Sequence, residues 1–151
     1  MRLTNALVVL GLVLLAPFAS AQTFEELRDR VIAERDAIED GEVRQLGEFE
    51  TREAMEALLA AYDRFASPYR RREVVIELKR FDDHEESFQP ALEKLMQVAV
   101  EEPSLEVRTA ALESLGLCVQ NGPNFLAIIV ESNADDSIRE RAMELHVRLS
   151  G

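Results

Sequence analysis

The sequence predicts an all-α fold. Three observations carry that prediction. Apolar residues recur every three to four positions, prolines precede the periodic stretches, and no useful length of chain alternates with period two. With 151 residues, 47% of them hydrophobic, the chain has the length and apolar content of one ordinary domain.

Residues 1–21 read differently from the rest. Arg2 precedes an apolar run over residues 6–16, Pro17 ends the run, and Ala19-Ser20-Ala21 places small residues before Gln22. This is the layout of a signal peptide cleaved after Ala21. The run is shorter than the ~20 residues of a spanning helix, so stable membrane insertion after cleavage is not expected. The alternative is an uncleaved N-terminus that tethers the chain to a membrane. The expected compartment is the periplasm or the exterior. Cleavage removes one cation, Arg2, and no acid, which takes the net charge from −12 to −13.

Residues 22–50 form the next unit, a helix and connector that cap the domain. Thr23 with Glu26 makes a capping box. The helix is expected from Phe24 to Asp40, with Gly41 as its stop. Its apolar stripe is narrow: Phe24, Leu27, Val31, Ile32 and Ile38. Residues 47–50 serve as the connector.

Residues 51–151 hold the remaining helices. The first covers about residues 51–65 with Ala54, Met55, Leu58, Leu59 and Tyr62 inward. Pro68, Pro90, Pro103 and Pro123 then open further helices, where a missing N–H costs nothing and the fixed φ suits the first turn. Ser67 and Ser104 are suited to N-capping. After Pro90 the inward set is Leu92, Leu95, Met96 and Ala99. After Pro103 it is Val107, Ala111, Leu112, Leu115, Cys118 and Val119. Residues 125–130 are apolar nearly all round, so that helix is expected to be the most buried. After Asp136 come Ile138, Ala142, Met143, Leu145 and Leu149.

The chain repeats itself. At an offset of 31, Arg108 falls on Arg139, Ala111 on Ala142 and Leu112 on Met143. At an offset of 37, Arg71 falls on Arg108, and Val74, Val75, Leu78 and Phe81 fall on Ala111, Leu112, Leu115 and Cys118. The shared unit is a turn, an Arg one turn into the helix, then an apolar face. Such units bury their faces by stacking.

Residues 102–116, with Pro103, Val107, Arg108, Ala111 and Leu112, resemble the HEAT-repeat family of armadillo-like α-solenoids in its short bacterial form. Residues 135–143 and 67–81 are similar but weaker, and the likeness spans roughly 51–149. It implies a right-handed α-solenoid of about three helix pairs with an extra N-terminal helix. It also implies that Arg108 and Arg139 are structural, tying each inter-helix turn to a neighbouring repeat. Members serve mostly as protein-binding scaffolds. The outer side of the last helix, with Arg139, Glu140, Arg141, Glu144 and Arg148, is expected to be polar enough to close the stack; the alternative is that something else covers it.

Composition narrows the chemistry. A net charge of −12 excludes a nucleic-acid binder that works through clustered cations. One Cys excludes a disulfide scaffold and Cys-based metal sites. Cys118 lies in an apolar stretch and is expected to be buried. Residues 82–86, Asp-Asp-His-Glu-Glu, are the one tempting metal-binding or enzymatic cluster, but they lack calcium-loop spacing and read as a solvated connection. Asp135 and Asp136 read as N-cap residues and His146 as a half-buried packing residue. No catalytic residue, cofactor or metal is assigned.

One charge feature runs against the acidic background. Arg70, Arg71, Arg72, Lys79 and Arg80 cluster on one second helix, with Arg72 and Lys79 sharing a face. In solenoids of this family the second helices line the surface that receives partners. Arg70, Arg72, Lys79 and Arg80 are therefore the candidate contacts for an acidic segment of a protein partner.

Overall fold

The computed structural model describes residues 23–33, 37–83, 85–118, 122–132 and 134–151, with backbone alone at 83 and 85–88. The expected signal segment and cleavage site lie outside the described residues. Among those described, no helix is long and apolar enough to cross a membrane.

The described chain is helical, without strands. Helices α1 (Phe24–Ala33) and α2 (Glu42–Gly47) come first, then α3 (Arg52–Arg64) and α4 (Pro68–Leu78). A 3-10 segment, Lys79–Asp83, leads into α5 (Glu85–Glu101), followed by α6 (Leu105–Gly116), α7 (Gly122–Val130) and α8 (Asp136–Ser150). Each odd-numbered helix packs on the even-numbered helix after it. The odd helices also pack in succession, and so do the even ones. The result is a two-layer stack of helix pairs, with one core running between the layers through Leu27, Leu58, Leu78, Leu95, Leu115 and Ile138.

Three helix starts follow from side-chain caps. Glu26 N–H donates to Thr23 Oγ1 (3.3 Å) while Thr23 N–H donates to Glu26 Oε2 (3.1 Å), the reciprocal box expected there. Ala54 N–H donates to Thr51 Oγ1 (3.2 Å), and Ile138 N–H to Asp135 Oδ1 (3.1 Å).

The structure corrects the N-terminal reading. Residues 24–40 do not form one helix, because α1 ends at Ala33 and a separate α2 begins at Glu42. Gly41 marks the second boundary. Its φ of +91° is a conformation that favours glycine, and it serves as the N-cap of α2 rather than the stop of a long helix. Ile38 is buried in the connection between them. Helix α5 also starts earlier than expected, with Pro90 inside it. The ring is exposed, so the hydrogen bond it removes lies on the water-facing side.

Helix α7 is not the most buried element. Leu126 and Ile129 are buried, but Ile128 is 51% exposed. Two side chains of α8 depart from the expected stripe as well: Met143 is 46% and Leu149 39% exposed. Cys118 is buried as expected, its Sγ 3.4 Å from the Ser114 carbonyl oxygen. Burial, chiefly, pushes its thiol pKa up to about 12, which keeps it unreactive.

Candidate functional site

The basic helix α4 does not present its cations together. Arg70 turns inward. Its guanidinium donates to the Ile38 carbonyl (2.6 Å) and pairs with Glu73 (2.8 Å) and Asp40 (3.0 Å), which ties α4 to the turn ahead of α2. The expectation of Arg70 as a partner contact is therefore corrected: the side chain is buried. Arg80 donates to Glu77, whose carboxylate is buried and whose pKa is raised by that burial despite the arginine. Arg72 and Lys79 remain half-exposed. Arg72 lies 3.4 Å from Glu106 of α6.

Arg72 borders a shallow groove of about 440 Å³ between α4 and α6, whose other walls include Leu105, Glu106, Thr109 and Glu113. Leu105 is 53% exposed there. The sequence reading missed Leu105, although its signal was available. Leu105 falls off the Val107–Ala111–Leu112–Leu115 stripe, and an apolar residue off the stripe faces water. The polar lining is mixed: Arg72 stands beside Glu106 and Glu113, and the Thr109 hydroxyl donates to the Leu105 carbonyl (2.8 Å).

A second arrangement recurs along the stack. Arg71 donates to its own turn, at the carbonyls of Phe65 (2.9 Å) and Ala66 (2.8 Å), and to Glu102 Oε1 in the turn of the next pair (2.9 Å). Arg108 likewise pairs with Asp135, in the turn of the pair after its own. Arg139 donates to its own turn at Ala134 O (3.0 Å) and to Asp136 of its own helix.

Residues 42–116 match the family model for HEAT repeats. This segment belongs to the HEAT-repeat family. No curated protein and no solved structure matches the chain. The matched HEAT segment opens with α2 and closes with α6, so it begins earlier than the likeness read from residue 51. The weaker motif at 135–143 lies beyond it, although α7 and α8 continue the same packing.

Between two HEAT pairs, Glu102 is the hub. Tyr62 Oη donates to its Oε2 (2.5 Å), Arg71 to its Oε1, and Ser104 N–H to Oε1 (3.2 Å). The adjoining cleft of about 260 Å³ also holds Lys94, whose Nζ lies 2.7 Å from Asp63 Oδ1 and 4.6 Å from the Tyr62 ring centre. These groups satisfy one another. Burial would raise the Glu102 pKa, but the three donors outweigh it and hold the carboxyl below the ordinary 4.5. Burial and the neighbouring carboxylate push Tyr62 far up. The arrangement ties Tyr62 of α3 and Arg71 of α4 to the turn ahead of α6 and acts as a joint between repeats.

That joint has a pH signature. The folded carboxyl of Glu102 binds protons less readily than the unfolded one. Its contribution is complete above pH 4.5 and is lost as pH falls through the folded value. Glu77, with its raised pKa, works in the opposite direction on the acid side. Thermal melts taken downward from pH 4.5 are expected to fall less steeply in Glu102→Gln than in wild type.

The remaining sequence candidates resolve simply. Asp135 accepts from Ile138 N–H and from Ser137 Oγ (2.7 Å), and Ser137 with Arg108 draws its pKa down to about 2. His146 is half-buried with Nδ1 2.8 Å from Pro123 O, a packing position. In the acidic cluster Asp82 is buried, while the side chains at 83–86 lie outside the described residues. Among the described residues no three His, Cys, Asp or Glu side chains converge as metal ligands.

Proposed function

We propose that this chain is an exported, non-catalytic protein–protein interaction module built on HEAT-like repeats. HEAT repeats commonly mediate protein–protein interaction. The observation that carries the reading furthest is the α4–α6 groove, where half-exposed Arg72 meets exposed Leu105 on the layer of second helices. In the proposal this groove, with Lys79, receives an acidic segment of a protein partner. Specificity comes from charge pattern on a preformed surface. Export rests on residues 1–21, read as a signal peptide removed after Ala21.

Crosslinked capture from the envelope fraction of the source cells tests the binding half. Wild type is expected to retain one dominant, stoichiometric partner. The variant Arg72→Glu/Lys79→Glu is expected to lose it with an unchanged melting temperature. Retention of the same partner by that folded variant sinks the groove assignment. Mass spectrometry of the native N-terminus tests the export half: a start at Gln22 supports release, and a start at Met1 contradicts it.

A further inference from the structure

The repeat offsets set equivalent side chains of α4, α6 and α8 side by side, and one of the three helices differs. Arg71, Arg108 and Arg139 are equivalent, as are Val75, Leu112 and Met143, and Gly116 and Val147. Val75 and Leu112 are both fully buried, whereas Met143 is 46% exposed. Gly116 lies under Leu126 and Leu149 of the following pair, whereas Val147 is 64% exposed. The charges follow the same rule. Arg71 and Arg108 each reach a carboxylate in the turn of the next pair, whereas Arg139 folds back on Asp136 of its own helix. Glu113 of α6 receives Arg141 from α8 at 3.2 Å. Its equivalent, Glu144, takes Arg141 from its own helix at 2.7 Å.

We infer that the α7–α8 end of the stack docks a helical hairpin of a protein partner that carries a carboxylate in its turn and a cation on its second helix. The carboxylate goes to Arg139, as Glu102 goes to Arg71. The cation goes to Glu144, as Arg141 goes to Glu113. The apolar face of the hairpin covers Met143 and Val147. Met143, with Val130, Arg139, Glu140 and Glu144, already outlines a groove of about 510 Å³, and Val147 lies exposed one turn further along α8. Met143 and Val147 also correct the expectation of a polar outer side on this helix. A second copy of this chain is a poor occupant. The outward side chains of its first helix, Glu25, Glu26 and Asp29, are exposed acids, its turn carboxylate Asp40 is already paired with Arg70, and each copy has a net charge of −12.

The inference rests on the interaction-module reading but uses a different surface, so the two fail separately. The test is the maleimide labelling rate of Met143→Cys, measured with N-ethylmaleimide in the source cells and on the purified full chain. Buried Cys118 contributes no background. Labelling in cells is expected to be roughly tenfold slower or more at position 143. At a control position, Glu53→Cys on exposed α3 surface, the two rates should agree. Adding Arg139→Glu, which gives up the hydrogen bond to the Ala134 carbonyl and the pair with Asp136, is expected to restore fast labelling in cells. Equal rates at 143 in cells and in the purified protein overturn the inference. So does protection that appears in the concentrated purified protein, because that assigns the face to a second copy. Retention of the captured partner by Arg72→Glu/Lys79→Glu, with protection at 143 intact, defeats the groove assignment alone.

Discussion

Arg71→Ala is expected to destabilise the chain by about 3 kcal/mol, with a fall in Tm on the order of 10 °C. The substitution removes the cation from the nearly buried Glu102 carboxylate and strips a donor from the carbonyls of Phe65 and Ala66. Tyr62 and Ser104 still donate to Glu102, which is why the loss stays short of that for a fully abandoned buried charge. The control is Arg52→Ala, an exposed i,i+4 partner of Glu56, expected to cost less than about 0.5 kcal/mol. Urea unfolding of the two variants decides the matter. Equal midpoints would mean that the joint between α4 and the α5–α6 turn does not hold the repeats together. In Arg71→Ala/Glu102→Gln the two losses are expected to be less than additive, since each removes the same pair.

Gly122→Ala should cost about 2–4 kcal/mol. A Cβ on Gly122 would lie 2.4 Å from the Gly116 carbonyl oxygen, 2.9 Å from its carbon and 3.1 Å from the Leu115 oxygen. All three are backbone atoms at the end of α6, and they yield only if α7 moves as a body. Gly116→Ala makes the contrast. Its Cβ would meet Leu149 Cδ1 at 2.9 Å and Leu126 Cδ1 at 3.3 Å, the mobile ends of two side chains. That variant is expected to cost about 1 kcal/mol. Reversal of the order, measured by chemical denaturation, would show that the α6–α7 junction is not the tight backbone contact described here.

Much of this architecture was legible because each repeat writes the same local instructions. Thr51 and Asp135 bond backbone N–H groups where helices start, and the offsets of 31 and 37 align Arg71, Arg108 and Arg139 before any contact is known. The break between α1 and α2 was not legible for a definite reason. A glycine at φ +91° fits the end of one helix as well as the cap ahead of another, and buried Ile38 extends the apolar stripe through what is a connection. Arg70 escaped for a similar reason. In a run of three arginines the sequence does not say which one meets Ile38 O and Asp40, because that depends on how α4 lies against a loop distant in the chain. Met143 sits on the apolar stripe of α8 and is still exposed. Periodicity tells which side of a helix is apolar, but what covers that side is a property of the stack.

The groove followed the same division. Arg72 and Lys79 were visible as cations on one face, but Leu105 and Glu113 joined Arg72 only once α4 and α6 were placed side by side. Charge in the sequence marked the region, and packing selected which members of the cluster remain available to a partner.

The central claim is that this chain, with its HEAT-repeat segment at 42–116, works by holding another protein. The native mass at which it migrates in a gently prepared extract of its source cells tests that claim most directly. The account predicts migration well above the 17.0 kDa of the full chain, and a fall in that mass when Arg72 and Lys79 are both changed to glutamate. Migration of the wild-type chain at its own mass would contradict it.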